Sequence, residues 1–340
     1  MASASMRDVH VFMTMCGGNA TMHSALLTVR SIYDSAPISR RLRLHVLHDD
    51  GAPVHHLLST LNRFREHGLF QETRFQVDGH AISRALSSSD LALADATEKR
   101  FKQCAAARMF IPHVRAFQDL HGPGIYLDAD TIVRRDLYEL VELVSSSFNQ
   151  TQWCALAREC ELGPTFCWYR YWASKVGLRL YDDNGLNSGV MAFDLDRWRG
   201  KAAHQMHRHM QHSANNPLPG RLSFGDQDVL NSYFAEHRDE LHVLPCEWNY
   251  RADLDSRPLK EEAKAGVGCV PKHHDDGRAS IAVWHGNRNI LGKDPRDVKP
   301  EWAAVRELIR AETFVLPSPP PSYIVANSAR GPMRVRSAAG

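Results

Sequence analysis

The 340-residue sequence lacks several features that would place it in a specialised class of protein. No stretch approaches the roughly 18 consecutive apolar residues of a transmembrane helix. The formal net charge is only +2 and no long run of lysine or arginine is present, which argues against a nucleic-acid-binding surface. The chain is 43% hydrophobic and 24% charged. This balance is typical of a globular protein with a sizeable core.

The cysteines lack the spacing of a structural metal site. None of the seven belongs to a Cys-x-x-Cys pair, which argues against a structural zinc ion. Their odd number leaves at least one thiol unpaired even in an oxidising compartment. Cysteine usage therefore does not identify the compartment.

The G-x-G-x-x-G spacing of dinucleotide-binding oxidoreductases is also missing. Gly17 and Gly18 follow the first predicted strand, but they do not complete that fingerprint. A nucleotide can still bind there, because the carboxyl ends of adjacent strands in an α/β sheet form a crevice.

Strand-like apolar runs alternate with helical spacing, which predicts an α/β fold with a doubly wound, mostly parallel sheet. Helical sequence is predicted up to about Tyr33 and again over 105–120. The Gly-Pro-Gly sequence at 122–124 then forces a break. After Trp153 the pattern is less regular, and we interpret this half as part of the same core. Strands are predicted at residues 9–15, 42–47, 73–77, 125–127 and 190–195.

Two carboxylates, Asp128 and Asp130, follow the apolar run at 125–127. On an extended backbone, side chains at i and i+2 project from the same face, so both can reach one point. Converging carboxylates repel each other unless a cation lies between them, and a hard divalent cation is the usual solution. The alternative is that both aspartates only solvate a loop, since Asp-x-Asp is a short motif.

Three further segments place polar groups at the boundaries of strands or helices. Residues 186–190 begin a strand with small polar groups and a glycine, which would let a ligand approach the backbone closely. Residues 225–231 open an amphipathic helix, where an aspartate is either functional or an N-cap. Residues 283–289 end an apolar strand in His285, for which a hydrogen-bonded structural role is the alternative to metal binding.

Together, these segments resemble glycosyltransferase family 8, the glycogenin-like retaining transferases that use nucleotide-sugar donors. The resemblance spans about residues 9–311, and within the family the likeness is greatest to the glucoside xylosyltransferases. It implies a single GT-A-type (Rossmann-like) nucleotide-sugar-binding fold with a mostly parallel central sheet. The segments that carry it are 102–108, 126–130, 187–191, 225–228, 245–251 and 285–288.

The resemblance also implies a domain organisation. Residues 1–7 would be an N-terminal extension and 8–314 the catalytic domain, with a donor-binding half at about 8–150 and an acceptor-side half at about 151–314. Residues 315–340 are rich in proline and small residues, which predicts an extended, flexible tail.

The implied metal ligands are Asp128, Asp130 and His285, which would hold Mn²⁺, with Mg²⁺ as the alternative, and the diphosphate of a UDP-sugar. Carboxylates with one imidazole suit Mn²⁺, and the absence of thiolates argues against zinc. The metal would neutralise the charge on the departing nucleoside diphosphate. The alternative for Arg108 is a surface position on an amphipathic helix. The other implied donor-binding residues are Thr14, Arg108, Ala129, Asn187, Ser188, Gly189, Gly286, Arg288 and Lys293.

One position departs from the family pattern. Many members carry a lysine six residues after the metal-binding histidine, where it contacts the diphosphate. Here that position is Leu291, so Lys293 or Arg288 would have to supply this contact.

The implied catalytic residues are Asp226 and Gln227, close to the reactive carbon of the donor sugar. Retention of configuration allows two routes, a covalent intermediate or entry of the acceptor on the face that the phosphate leaves. The sequence does not choose between them. Trp248, Asn249 and Arg251 are implied to bind the acceptor, and a core position is the alternative for Trp248. The histidine-rich segments 204–212 and 273–276 are interpreted as a solvated helix face and a polar loop, not as metal sites.

The resemblance implies an enzyme that transfers xylose from UDP-xylose in α linkage to a glucose O-linked to a protein. The alternatives are UDP-glucose or UDP-galactose as donor, a xyloside acceptor, a catalytically silent sugar-binding module, or a metal-dependent hydrolase. Relatives act in the lumen of the endoplasmic reticulum and Golgi, so without an evident signal or anchor we expect a truncated or soluble form. Two glycosylation sequons, at Asn19 and Asn149, fit a luminal glycoprotein. We expect a glycan at Asn149, since one at Asn19 would obstruct the nucleotide crevice.

Overall fold

The fold is given by a computed structural model that describes residues 8–17, 19–37, 39–49, 53–66, 74–97, 103–159, 168–216, 225–251 and 281–286. The strands within these ranges are β1 (Asp8–Met15), β2 (Arg41–His48), β3 (Phe75–Ala81), β4 (Pro123–Leu127), β5 (Thr131–Val133), β6 (Cys154–Arg158), β7 (Leu186–Asp194), β8 (Leu241–Val243), β9 (Tyr250–Arg251) and β10 (Val283–His285).

The α-helices that connect and flank these strands are α1 (Asn19–Ser35), α2 (Pro53–Glu66), α3 (Ile82–Ala85), α4 (Ser88–Thr97), α5 (Gln103–Ala106), α6 (Tyr138–Ser147), α7 (Trp168–Val176), α8 (Leu195–Arg197), α9 (Ala203–Asn215) and α10 (Asp226–Glu236). Short 3₁₀ segments lie at Ala107–His113, Arg115–Phe117, Arg238–Glu240 and Cys246–Asn249, and a kinked segment at Trp198–Ala202, in which the backbone of Gly200 is not helical, joins α8 to α9. Among the residues that the model describes, no helix combines the length and the hydropathy needed to cross a membrane.

The main sheet has seven strands in the order β3-β2-β1-β4-β7-β6-β8. Parallel pairing joins β3, β2, β1 and β4 and also joins β6 to β8, whereas β7 runs antiparallel to both of its neighbours. The predicted mostly parallel α/β sheet is therefore confirmed. Because β7 is reversed, its first residues lie at the same edge as the last residues of β4 and β6.

Both faces of the sheet are covered, as expected for a doubly wound fold. Along β1, Phe12 packs into the core on one face, whereas Val11 and Met13 pack into the core on the other. All three side chains are fully buried. The period of two in a strand thus divides the apolar residues of β1 between two cores.

A second sheet has three strands in the order β5-β10-β9. It begins with β5, which three residues separate from the end of β4, and β10 pairs antiparallel with β5 so that His285 lies opposite Thr131. The backbone N–H of Gly286 donates to the carbonyl of Asp130 at 2.7 Å. This small sheet therefore brings the end of β10 to the segment that carries the two aspartates.

Three predicted boundaries differ from the fold. The helical stretch over 105–120 is wrong beyond Ala106, because the chain continues as 3₁₀ turns around Pro112, which has no N–H to donate. The third strand lies at Phe75–Ala81, further along the chain than the predicted 73–77. The predicted strand at 190–195 is longer and begins at Leu186, and it is buried along nearly all of its length.

Candidate metal and nucleotide-sugar site

The two aspartates lie in a tight turn between β4 and β5. The N–H and the hydroxyl of Thr131 both donate to the carbonyl of Asp128, at 3.2 and 2.9 Å. The prediction that an extended backbone aligns the two carboxylates is therefore wrong. The side chains nevertheless converge, because the turn and the pairing of β5 with β10 place ligand atoms of Asp128, Asp130 and His285 within 4.8 Å of one another.

His285 lies between the two carboxylates and is buried. Its Nε2 is 3.5 Å from Asp128 Oδ2 and 3.5 Å from Asp130 Oδ1. Burial alone would lower the pKa of this imidazole, but the hydrogen bonds and charges of the two aspartates outweigh burial and raise its pKa to about 10. The two carboxylates therefore favour a positive charge beside Nε2. A divalent cation bound there would supply that charge.

Arg108 is buried between two of the carboxylates. Its Nη2 is 2.9 Å from Asp128 Oδ1, and its Nε is 2.7 Å from Asp226 Oδ2. Its Nη1 also donates to the carbonyl of Ser188 at 2.7 Å. Burial opposes its charge, but Asp128 and Asp226 outweigh burial and raise the pKa of Arg108. Arg108 thus lies inside the site rather than on a helix surface.

Tyr126 is a site residue that sequence reasoning missed. Its hydroxyl donates to Asp128 Oδ1 at 2.8 Å and accepts from the hydroxyl of Thr14 at 2.7 Å. The guanidinium of Arg108 also lies over its ring, 4.5 Å from the centroid. Burial opposes ionisation of Asp128, but Arg108, His285 and Tyr126 outweigh burial and lower the pKa of Asp128 below its usual range. The sequence does contain a signal for this role, the i, i+2 spacing of Tyr126 and Asp128, but we interpreted Tyr126 only as part of the motif at 126–130.

Gly189 makes room for a side chain of the protein itself. A Cβ atom at this position would overlap the imidazole ring of His285 at Cε1. The carbonyl of Gly189 accepts from the N–H of Asp128 at 2.8 Å, and its N–H donates to Asn187 Oδ1 at 2.9 Å. The space beside Gly189 that we predicted for a ligand is thus filled by the imidazole ring of His285.

The start of β7 and the start of α10 meet at a buried carboxylate that sequence reasoning also missed, Glu159. Asn187 Nδ2 donates to Glu159 Oε2 at 2.5 Å, and Gln227 Nε2 donates to the same oxygen at 3.3 Å. Arg251 forms an ion pair with Glu159 Oε1. The N–H of Ser188 donates to Gln227 Oε1 at 3.3 Å, so both ends of the Gln227 amide are held. Glu159 directly follows the last residue of β6, and this position at the end of a strand was the signal for a site residue that the sequence offered.

The three residues with an implied acceptor role occupy different positions. Trp248 is 4% exposed and packs into the core with Ala282 and Val283, under the guanidinium of Arg135. Asn249 is buried, and its amide bonds to His285 and Asn187 at 2.9 and 2.7 Å. Arg251 is partly exposed beside Glu159. This placement favours a core position for Trp248, and of the three residues Arg251 is the one that is partly exposed.

The remaining implied site residues are at the edge of the site or outside the described ranges. Ala129 is buried in the aspartate turn, and its carbonyl accepts from the hydroxyl of Thr28 at 3.0 Å. Gly286 follows His285 directly. Arg288, Leu291, Lys293 and the polar segment 273–276 lie outside the described residues. In the described part of α9, Met206 and Met210 are buried, and His207 Nε2 lies 3.3 Å from Asp90 Oδ1.

The charges of the site fit a divalent cation. Asp128 and Asp226 share the guanidinium of Arg108, and Asp128 and Asp130 share the imidazole of His285. Two carboxylates and one imidazole form a donor set of the kind that Mn²⁺ accepts. Within the described residues, no other group of three or more potential metal ligands lies so close together.

Comparison with known proteins identifies the family of this chain. The family model described as Glycosyl transferase family 8 matches residues 25–268. Glucoside xylosyltransferase 2 of Xenopus laevis is 31% identical over 234 residues, which cover 64% of this chain and 48% of the relative. Human glucoside xylosyltransferase 1 is 31% identical over 224 residues, which cover 64% of this chain and 46% of the relative. The chain thus spans about half the length of these relatives.

Solved structures of low sequence identity have the same fold. Mouse xyloside xylosyltransferase 1 in its apo form matches with a TM-score of 0.58 at 18% identity, over 83% of this chain and 99% of that one. The galactosyltransferase LgtC, in complex with donor and acceptor sugar analogues, matches with a TM-score of 0.56 at 16% identity, over 92% of this chain and 98% of that one. The GT-A-type fold expected from the sequence is confirmed.

Proposed function

This chain belongs to glycosyltransferase family 8, and from that premise we propose that it is a Mn²⁺-dependent retaining glycosyltransferase that transfers xylose from UDP-xylose to a glucose O-linked to a protein. The observation that carries the metal-dependent chemistry is the convergence of Asp128, Asp130 and His285 beside Arg108 at the carboxyl edge of the sheet. The choice of xylose rests on the likeness to glucoside xylosyltransferases.

The proposed reaction breaks the bond between the sugar and the diphosphate of the donor. When bound, the cation supplies a Lewis acid at the departing diphosphate. Asp128, Asp130 and His285 would hold it, and Thr14, Ala129 and Gly286 would line the adjoining nucleotide crevice. Ser188 follows Asn187 at the start of β7 and would face the donor sugar.

Arg108 would act mainly by compensating charge. Its guanidinium is already bound to Asp128 and Asp226, so it reaches the diphosphate only from between them. It lowers the pKa of Asp128, a proposed ligand, and it lies 2.7 Å from Asp226 near the sugar. A buried carboxylate without such a partner would instead take up a proton.

The contacts of Asp226 and Gln227 favour the route in which the acceptor enters on the face that the phosphate leaves. Asp226 is held at 2.7 Å by Arg108, which weakens it as a nucleophile. The Gln227 amide is held at both ends. In this route the leaving phosphate oxygen accepts the proton of the acceptor hydroxyl, so no protein base is needed. Asp226 would then stabilise positive charge that develops on the sugar ring.

A luminal location in the secretory pathway is part of the proposal. Cys16 and Cys246 each take part in a disulfide bond. Disulfides persist in oxidising compartments and are rare in the cytosol. This supports the endoplasmic reticulum or Golgi, as expected for relatives of the glucoside xylosyltransferases.

The test is a panel of donor hydrolysis assays with Mn²⁺ and UDP-xylose, UDP-glucose, UDP-galactose or UDP-N-acetylglucosamine. We expect UDP release from UDP-xylose and its loss in Asp130→Ala. The matched control is Asp183→Ala, which removes an aspartate whose side chain is 82% exposed. Transfer to a glucosylated peptide, compared with a xyloside, then identifies the acceptor.

Each outcome of this panel has a definite meaning. Preference for a hexose donor would keep the metal chemistry but overturn the xylosyltransferase assignment. Equal UDP release by Asp130→Ala and by the wild-type protein would overturn the metal site. If no donor reacts, with or without acceptor, while UDP binds independently of Mn²⁺, the chain is a silent sugar-binding module.

A further inference from the structure

Four buried side chains form a continuous hydrogen-bonded relay that ends at a metal ligand. The relay consists of Glu159, Asn187, Asn249 and His285. Asn187 Nδ2 donates to Glu159 Oε2 at 2.5 Å, Asn249 Nδ2 donates to Asn187 Oδ1 at 2.7 Å, and His285 Nδ1 lies 2.9 Å from Asn249 Oδ1. Each of the four residues is less than 9% exposed.

The carboxylate at one end determines which atom donates at every step. An ionised carboxylate only accepts, so Asn187 must turn its amide NH₂ towards Glu159 and its oxygen towards Asn249. Asn249 must then present its NH₂ to Asn187 and its oxygen to His285. His285 must therefore carry its hydrogen on Nδ1, which leaves Nε2 as the nitrogen for the cation.

Two backbone groups agree with this direction. The N–H of Gly189, which only donates, bonds to Asn187 Oδ1 at 2.9 Å. The N–H of Ser188 bonds to Gln227 Oε1, so the NH₂ of Gln227 also faces Glu159. Arg251 donates to the other carboxylate oxygen. Each of these side chains thus meets Glu159 as a donor.

We propose that Glu159 is a positioning residue, which acts through Asn187 and Asn249 to fix the ring of His285 with Nε2 towards the cation. Glu159 touches neither the cation nor its ligands directly. It also sets the Gln227 amide at the donor sugar and Arg251 at the acceptor side. The inference rests on the proposed function in that it takes Asp128, Asp130 and His285 as the metal ligands.

Glu159→Gln is the informative substitution because it keeps the shape and removes only the charge. A glutamine presents one oxygen and one NH₂, so either Asn187 or Arg251 then faces a donor. We expect the affinity for Mn²⁺ in the presence of UDP, measured by titration calorimetry on the full chain, to fall about tenfold or more. An unchanged Mn²⁺ affinity would overturn the proposal.

The chain offers a matched control for the loss of a buried carboxylate. Glu240 Oε2 accepts from Trp153 Nε1 at 2.8 Å and from the Tyr233 hydroxyl at 2.6 Å, away from the relay. We expect Glu240→Gln to lower the melting temperature without changing the Mn²⁺ affinity. If both substitutions lower the melting temperature equally and both leave Mn²⁺ binding intact, Glu159 has only a structural role.

A second substitution provides a rescue test if Glu159→Gln alone is poorly folded. Adding Arg251→Met removes the donor on the far side. The oxygen of the introduced glutamine is then free to accept from Asn187, while its NH₂ faces an apolar chain. We expect the double variant to bind Mn²⁺ with UDP several-fold more tightly than Glu159→Gln. Additive losses in the two substitutions would contradict the relay.

These measurements separate the relay from the proposed function. They use UDP and Mn²⁺ and need no sugar transfer, so a wild-type protein that binds both but transfers no xylose would refute the donor assignment alone. Wild-type transfer with an unaffected Glu159→Gln would refute the relay alone. A wild-type protein that binds no Mn²⁺ with UDP would refute both.

Discussion

At the scale of single residues, the site depends on what a side chain lacks as much as on what it presents. Gly189 has no Cβ, and the space that a Cβ would need is filled by the imidazole of His285. A glycine at this position is therefore a requirement of the proposed metal site. The sequence placed Gly189 in the site but not in this role, because its partner lies on a different strand, far away along the chain.

Gly189→Ala should abolish the metal site. A methyl group that overlaps Cε1 of His285 must displace the ring, so we expect calorimetry to detect no Mn²⁺ binding in the presence of UDP. Gly79→Ala is the control, since the nearest atom to a Cβ there is the flexible end of the Leu58 side chain, at 3.3 Å. Tight Mn²⁺ binding by Gly189→Ala would show that His285 is not a ligand in the position described.

Arg108 should stabilise the folded state far more than an exposed arginine does. Arg108→Met leaves Asp128 and Asp226 without their buried partner, for which we expect a loss of about 3–5 kcal/mol in the free energy of unfolding. Arg179→Met removes an ion pair with Glu236 in which both side chains are well exposed, and should cost less than about 1 kcal/mol. Urea unfolding measures both. Equal losses in the free energy of unfolding would show that Arg108 does not stabilise the folded state through Asp128 and Asp226.

At the scale of elements, three neighbouring strands place histidines side by side. His10 on β1, His45 on β2 and His80 on β3 form a row in which the ring centroids of adjacent residues lie 5.4 and 5.6 Å apart. Burial, the largest effect, lowers the pKa of all three, and that of His80 falls to about 4. Asp8 and Asp78 oppose this shift for His10, and Asp78 opposes it for His80, whereas Arg43 adds to it.

Acid should therefore destabilise this half of the sheet. Below about pH 6.5 the unfolded chain binds protons that the buried rings do not, so stability is lost as the pH falls from about 6.5 towards 4. Each such histidine contributes up to about 1.4 kcal/mol per pH unit. His45→Phe, which would pack against Phe12 and Phe117, should flatten the dependence of unfolding free energy on pH between about 7 and 5. An unchanged slope would contradict the assignment.

The elements were predictable where a period was strong. The buried strands β1, β2 and β4 and the helix α10 follow from apolar runs and from turn residues. The 3₁₀ turns after Ala106 did not, because Pro112 changes the hydrogen bonding without changing the apolar spacing. Glu159 and Tyr126 were missed for a related reason, since their importance comes from partners on other strands that no local pattern contains.

At the scale of the whole molecule, one prediction concerns glycosylation. Asn149 is exposed, and its side-chain oxygen already organises the turn by accepting from Thr151 and Gln152. If the chain is produced in the secretory pathway, peptide mapping should find a glycan at Asn149. Occupancy of Asn19 with Asn149 bare would count against the donor crevice that we place after β1.

The reversed strand β7 has a consequence for the rim of the proposed site. β6 ends at the edge of the sheet that carries the site, and β7 begins at that same edge, so the chain leaves this rim after Glu159 and is back at it by Leu186. Between these two points, the hydroxyl of Tyr169 on α7 donates to Asp228 on α10 at 2.8 Å. An exchange of this segment between relatives would therefore change the rim at both of its ends, and the new segment would have to supply a partner for Asp228.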